Sequence, residues 1–328
     1  MGFCPQPFDR VEIYENGDVY NCCPSFLNNY SIGNIYESDF EQIWNSEKAI
    51  KLREKVSNGD FSYCSDICNM KNNLLNNEMP EEFKPIMQKY PTDISISTDN
   101  SCNVRCRICR DEFRNTKIPK EIFEERINKT ILPMFKDAEI VRFGCSGEPF
   151  ASEQEMTLIK KTVEAYPNIK FLFHTNGTLL DKKLLDELGI YNNIHTISVS
   201  MHSRTQETYE KVVIRGDYEK LLKNLELYSK MREENKIEKF RMIFVVFSDN
   251  YHEMIDFVEF AHSHNAIPEF WAFRQNDTEL GRNYNKYNVL SPEHPEHKNL
   301  LDILNSSIFD SDSVILYPEL KELRKVIR

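Results

Sequence analysis

Ser101-Cys102-Asn103-Val104-Arg105-Cys106-Arg107-Ile108-Cys109-Arg110 is the stretch that decides the reading of this chain. Cys102, Cys106 and Cys109 stand in a C-x3-C-x2-C spacing. The run just before them, Asp93 to Ser97, alternates apolar and polar residues as a strand does. Three thiolates within eight residues converge only if the loop curls round a common centre. Soft sulfur donors suit zinc or an iron–sulfur cluster. A closed zinc site or a fully thiolate-held four-iron cluster takes four protein ligands, and this loop offers three. One coordination position is left for a substrate or cofactor.

Beyond Asp93 the chain alternates strand and helix. Strand-like runs begin near Asp93, Glu139, Ile169, His195, Phe240 and Pro268. Helical stretches lie between them at about 119–136, 152–165, 180–188, 217–233 and 251–264, and Ser152-x-x-Glu155 reads as a capping box. Six strands with five intervening helices argue for parallel βα units joined by right-handed crossovers. Six units make a partial (β/α)6 TIM barrel, short of the eight that close a full one. The fold class is α/β, with the barrel at 93–275. A C-terminal helical extension follows at 276–328, carrying amphipathic runs at about 296–305 and 318–326.

Residues 1–79 read as a small hairpin-plus-helix unit, joined to the barrel by a linker helix over 80–92. Val11 to Tyr14 alternates as a strand, Glu15-Asn16-Gly17-Asp18 is a hairpin turn, and Val19-Tyr20 resumes the strand. The hairpin brings Cys4 and Cys22 together, and Cys64 and Cys68 arrive from a loop after a helix. These four thiols make a second metal centre with no vacant position, suited to a cluster or to zinc. Cys22 fits the Gly17-x4-Cys spacing better than its neighbour Cys23, which is either a spare or, by a one-residue shift, the ligand itself.

Bulk properties narrow the class. No apolar run approaches the roughly 20 residues that cross a bilayer, so no membrane partner is expected. The N-terminus has no basic region followed by an apolar core, and a cytoplasmic location is expected. Net charge is 41 − 52 = −11 with no basic stripe, which argues against nucleic acid as the main partner. Nine cysteines in such a chain read as metal or redox ligands before disulfides.

With the loop at the end of the first barrel strand, the sequence resembles the radical S-adenosylmethionine (SAM) enzymes. The resemblance implies a [4Fe-4S] cluster on Cys102, Cys106 and Cys109, whose open iron binds the amino and carboxylate groups of SAM. One electron then cleaves SAM to a 5′-deoxyadenosyl radical, which abstracts a hydrogen atom. Other strand ends match the family too. Ile108 holds the place of its adenine-facing aromatic. Gly144-Cys145-Ser146-Gly147-Glu148-Pro149 is similar to its G-G-E-P segment, which makes Gly147 and Glu148 SAM-binding. Asn176, in His174-Thr175-Asn176-Gly177, matches its T-N-G. Ser200 matches its SAM-contacting serine, His202 replaces an aspartate, and Arg215 matches an arginine aimed at the SAM carboxylate. Cys145 stands where a hydrogen-atom donor to a substrate radical would stand, though a free cysteine is commonly a small buried hydrophobe. Trp271, Phe273 and Arg274, after the sixth strand, suit a substrate pocket or a buried aromatic cluster.

Residues 1–79 resemble the SPASM/twitch accessory domain, through the glycine-to-cysteine spacing and the Gly33-Asn34-Ile35, Ile43-Trp44 and Leu52-Arg53 sequence. The resemblance implies an auxiliary [4Fe-4S] cluster on Cys4, Cys22, Cys64 and Cys68. In the family this domain commonly follows the barrel, whereas here it comes first. The activity implied is that of a radical SAM oxidoreductase or maturase. Its substrate is expected to be a peptide that is oxidised, crosslinked or epimerised. The alternative is a small polar molecule such as an aminosugar or glycan precursor. An external electron donor such as ferredoxin or flavodoxin is implied. A non-enzymatic iron–sulfur carrier or scaffold explains the cysteines but leaves Glu148, Asn176 and Ser200 without a purpose.

Overall fold

The structure is a computed structural model that describes residues 3–66, 68, 84–113 and 115–327. Along the chain its strands are β1 (Arg10–Ile13), β2 (Asp18–Tyr20), β3 (Gly33–Asn34), β4 (Asp93–Ile96), β5 (Arg105–Cys106) and β6 (Ile140–Phe143). There follow β7 (Lys170–Thr175), β8 (Ile194–Ser200), β9 (Val213–Ile214), β10 (Lys239–Val246), β11 (Ile267–Ala272) and β12 (Ile315–Leu316). The six expected barrel strands are β4, β6, β7, β8, β10 and β11. Between them lie the helices Lys120–Arg126, Glu153–Ala165, Lys182–Leu188, Tyr218–Glu233 and Met254–Ser263. Parallel pairing of β4 with β6, β8 with β10 and β10 with β11 gives the α/β fold of a partial (β/α)6 barrel.

The chain divides into two compact units, Met1–Ser101 with Asn115–Leu172, and Cys102–Arg114 with Phe173–Arg328. In the first, the Glu15–Asp18 turn closes as expected. Gly17 has φ +82°, a left-handed conformation that glycine adopts at no steric cost. The hairpin is not a separate layer: β1 pairs in parallel with β4, which pairs in parallel with β6. The register sets Val11, Ile94 and Val141 in one row and Ile13, Ile96 and Phe143 in the next. All six are buried. Each such side chain contributes about 1.5–3 kcal/mol relative to exposure. The other parity carries Arg10, Glu12, Asp93, Ser95 and Arg142, with Ile140 at one corner, so this sheet has one apolar and one largely polar face.

Three local expectations are corrected. Residues 84–92 carry no helix, and residues 80–83 of the expected linker helix lie outside the described residues. The reason is competition for backbone groups. Trp44 Nε1 donates to the Lys89 carbonyl (2.9 Å), Asn45 Nδ2 to Met87 (3.0 Å) and Arg53 Nη1 to Pro85 (3.1 Å). The Met87 N–H in turn donates to Asn45 Oδ1 (2.8 Å). The helix expected over 119–136 is interrupted by a π-helical turn at Ile127–Ile131, just before Pro133. Proline lacks the N–H that a continuing α-helix needs, and the wider turn absorbs the mismatch. The Ser152 capping box is half made. Ser152 Oγ accepts from the Glu155 N–H (3.2 Å), but the Glu155 carboxyl turns inward and accepts from the Thr98 N–H and hydroxyl.

In the second unit β8, β10, β11 and β12 run parallel, over a core that includes Phe240, Phe244, Phe257 and Phe270. A short antiparallel pair, β5 with β9, stands apart from them. The extension at 276–328 supplies the helices His297–Leu304 and Pro318–Ile327, and also β12, where Ile315 and Leu316 prolong the sheet beside β11. Among the described residues no helix is long and apolar enough to cross a membrane.

Asn45→Ala removes a donor to Met87 and an acceptor for its N–H. The expected cost is about 1–3 kcal/mol in urea unfolding, with faster proteolysis confined to residues near 84–92. Unchanged cleavage there would show that Asn45 does not hold this segment.

Candidate active site

The three-cysteine loop belongs to the second unit and is shaped from both ends. The Cys109 and Arg110 N–H groups both donate to the Cys106 carbonyl (2.9 and 3.1 Å), curling the loop into a turn. On its other side β5 pairs with β9, setting Cys106 opposite Val213 and Arg105 opposite Ile214. The Arg107 N–H reaches the Val212 carbonyl (2.9 Å), and its guanidinium pairs with Asp249 (3.0 Å). Cys102 and Cys106 are half-buried, Cys109 is exposed and Ile108 is buried.

Asn176 sits just past β7 with its amide 3.8 Å from Cys102 Sγ and 2.9 Å from Asn103 Oδ1. Its oxygen accepts from Thr178, and Asn103 also donates to the Thr178 hydroxyl (2.9 Å). Asn176 thus knits the loop to the end of β7. Arg215 follows β9, the strand paired with the loop. Its backbone is left-handed (φ +64°), and its guanidinium lies 4.4 Å over the ring of Phe113. Gly216 is required beside it, because a Cβ there would meet the Tyr209 ring at 2.5 Å. Ser200 closes β8, half-buried, opposite Ile243 of β10. His202 is buried and left-handed (φ +62°), and its Nδ1 accepts from the Val245 N–H (3.2 Å). The remaining ring proton therefore sits on Nε2. Burial pushes the imidazole down to about 4, so His202 is neutral and does not reproduce the charge of the aspartate it replaces.

Gly147 and Glu148 lie in the first unit, against the stem of the same loop. The Glu148 N–H donates to the Ser101 carbonyl (2.8 Å). A Cβ on Gly147 would meet Ser101 O at 2.7 Å and Asp99 O at 2.9 Å, so only glycine permits this approach. The Glu148 side chain is buried and accepts from the Phe150 N–H (3.4 Å). Behind the stem Ser152 donates to Asp99 (2.8 Å), which accepts from the Ser101 N–H (2.8 Å). Burial, reinforced by nearby Asp99, pushes Glu155 up to about 8.

Cys145, the last residue expected at this end, is exposed, with Sγ 2.8 Å from Ser95 Oγ. It lies by a polar cluster that sequence reasoning missed. Arg10 pairs with Glu12 (2.6 Å) and Asp93 (3.7 Å), Arg142 with Asp93, and Tyr14 donates to Glu12 (3.0 Å). The alternation of Arg10-Val11-Glu12-Ile13-Tyr14 was its only signal, and nothing in it said that β1 adjoins β4.

In the N-terminal region Cys4, Cys22 and Cys64 pack against one apolar cluster, Leu27, Leu52 and Val56. Cys4 feels the charge of Cys68, and Cys22 that of Cys4. Burial pushes Cys22 up to about 12. Burial raises the Cys23 thiol too, and it takes backbone N–H groups of Ser25 and Phe26. Among the described residues, no three His, Cys, Asp or Glu side chains are drawn to metal-ligand spacing. The all-sulfur donor sets in both places have the chemistry that an iron–sulfur cluster needs. Of the three residues expected after the sixth strand, Trp271 lies within β11, its ring tilted against Tyr317 at 4.3 Å; Phe273 is buried against Phe247 and Tyr284, and Arg274 pairs with Glu319 (3.1 Å).

The sequence matches the iron-sulfur cluster-binding SPASM domain over residues 4–69 and the Radical SAM superfamily over residues 96–261. It is 25% identical over 239 residues to a GTP 3′,8-cyclase of Aliarcobacter butzleri, covering 70% of this chain and 69% of that protein. It is also 25% identical to the FeMo cofactor biosynthesis protein NifB of Methanocaldococcus infernus, over 51% of this chain and 63% of that protein. Among solved structures it is similar to anSMEcpe with bound AdoMet (TM-score 0.46, 18% identity), covering 68% of this chain and 61% of that one. The chain thus spans about six tenths of that structure's length.

Gly147→Ala forces the loop stem away from β6. At least a tenfold loss of SAM affinity is expected by equilibrium binding, with retained far-ultraviolet circular dichroism. Glu155 supplies the pH dependence. Its folded pKa of about 8 lies above the ordinary 4.5, so its contribution is full below about pH 4.5 and is lost as pH rises toward about 8. Urea midpoints of Glu155→Gln should lose that decline. Parallel curves for variant and wild type would show that the carboxyl is already ionised.

Proposed function

This chain belongs to the radical SAM superfamily, and from that premise we propose that it abstracts hydrogen from a polar organic substrate, with an auxiliary cluster in the electron path. It is an enzyme that uses a [4Fe-4S] cluster and SAM, and its N-terminal domain takes further iron–sulfur. When bound, the cluster supplies the electron that cleaves SAM to a 5′-deoxyadenosyl radical. In the proposal Cys102, Cys106 and Cys109 hold three irons and leave the fourth to the SAM amino and carboxylate groups. Gly147 and Glu148 lend backbone and carboxylate to the cationic amino group, Ser200 meets the ribose or carboxylate, and Arg215 offers its fork to the carboxylate. Asn176 fixes the loop from the side, and Ile108 packs on the adenine. Cys4, Cys22, Cys64 and Cys68 hold the auxiliary cluster. A donor of the ferredoxin or flavodoxin type delivers electrons in the cytoplasm.

The observation that carries this reading is the knitting of the cysteine loop to the end of β7 through Asn176, 3.8 Å from Cys102 Sγ. For the substrate, the geometry favours a small polar molecule over a peptide. The terminal strands β3 and β12 are two residues long each, too short for a peptide to add as a strand. The charge-balanced polar face of β1, β4 and β6 suits a hydrogen-bonding substrate, and the curated relative named for GTP points the same way. A peptide presented by a partner is the second reading, supported by the accessory domain.

Anaerobic, reduced protein is expected to release 5′-deoxyadenosine from SAM, and Cys106→Ala to lower that release at least 100-fold. Cys22→Ala should lose about half of the bound iron while still cleaving SAM, and Cys23→Ala should keep it all. No 5′-deoxyadenosine from protein with both clusters loaded would end the proposal.

A further inference from the structure

The cysteine loop is gripped by a segment that no motif singles out. Just after β11, Asn276 Nδ2 donates to the carbonyl of Ile108, between Cys106 and Cys109 (2.8 Å). The orientation of this amide is fixed from its other end. Asn276 Oδ1 accepts from the Thr278 N–H (3.1 Å) and the Thr278 hydroxyl (2.6 Å), both of which serve here as donors. The NH2 must therefore face Ile108.

Two residues beyond Cys109, the other end of the loop is held as well. Asp111 Oδ1 accepts from the Glu279 N–H (2.8 Å), and Oδ2 pairs with Arg282 (2.7 Å). The Asp111 carbonyl is taken by Arg105 (2.7 Å). The gripping segment is itself rigid. Thr278 caps the turn by accepting from the Gly281 N–H (3.1 Å), and Thr278 and Leu280 are buried. Gly281 is obligatory, because a Cβ would lie 2.2 Å from Asn276 O. The loop, Cys102–Arg114, accordingly falls into one compact unit with the C-terminal part of the chain, apart from the strand that precedes it.

We propose that residues 276–282 are a clamp that fixes the cluster loop in its SAM-binding form, with Asn276 as the positioning residue. The proposal rests on the reading that Cys102, Cys106 and Cys109 hold the SAM-binding cluster. Its physical content is that the peptide between the last two thiolates cannot rotate while its carbonyl is held. Rotation there would turn Cys109, which is exposed and has no strand to hold it, away from the other two. The Arg282–Asp111 pair is exposed and adds little. The Asn276 bond, part-buried, carries the effect.

Asn276→Asp separates clamp from fold. It keeps the oxygen that Thr278 needs and turns a second oxygen on the Ile108 carbonyl, replacing attraction by repulsion. On anaerobically reconstituted full-length protein, two quantities are read. One is SAM affinity, from the change that SAM causes in the electron-resonance spectrum of the reduced cluster. The other is the rate at which an iron chelator strips that SAM-responsive signal. In Asn276→Asp, SAM is expected to bind about tenfold more weakly, with faster stripping. Arg282→Ala is expected to stay within about twofold of wild type on both readings. Wild-type SAM affinity and stripping rate in Asn276→Asp would overturn the clamp while leaving the radical SAM reading intact. A wild-type protein with no SAM-responsive signal would overturn the reading beneath it. Should Asn276→Asp lose the wild-type circular dichroism, Asn276→Ala removes the donor to the Ile108 carbonyl without adding a charge and decides by the same two readings, wild-type values again overturning the clamp.

Discussion

One close backbone approach fixes the stem of the cysteine loop. The carbonyl of Ser101, the last residue before the first loop cysteine, accepts from the Glu148 N–H, and Gly147 presses against the same peptide with no side chain between. The contact has two requirements. Glycine must stand at 147, and β4 and β6 must be parallel neighbours so that their C-terminal ends emerge together. Apolar residues on alternate positions of both strands supply the second requirement, because they bury only in that register. The approach of residues 147 and 148 to the stem of the cysteine loop is therefore a by-product of hydrophobic packing one layer below it.

Much of the fold could be read before the structure. The six barrel strands announce themselves by alternation, and one of the helices between them by its cap: Ser152 accepts the backbone N–H that a starting helix leaves over. What stayed hidden depends on partners far away in sequence. Nothing in residues 84–92 says that Trp44, Asn45 and Arg53 will capture their carbonyls. Alternation along β1 shows that two faces differ, but only its pairing with β4 says which neighbours share each face. The candidate site divides in the same way. The cysteines and Gly147 were legible because their chemistry is local. The Asn276 bond spans 168 residues and leaves no local mark.

Departures from the family pattern also acquire a physical sense. His202 stands in for an aspartate, yet it is neutral and its ring is spent on the Val245 N–H. The position has become structural: it pins the end of β8 to β10 through a residue whose left-handed backbone is itself a cost. Arg215 is likewise left-handed, and its cation rests on an aromatic ring of the cysteine loop.

The insertion of β1 between β2 and β4 decides how the N-terminal module can be studied. A module appended by a tether can be excised and its absence scored. This one is a plank in the floor. Severing the chain after the last of its cysteines would leave β4 with a bare row of amides and carbonyls beside Ile94 and Ile96, the raw edge along which chains stick to one another. A truncated protein would report the loss of the floor, whatever the module's cofactor does. Its purpose is open to inquiry only by changes small enough to leave the timber in place.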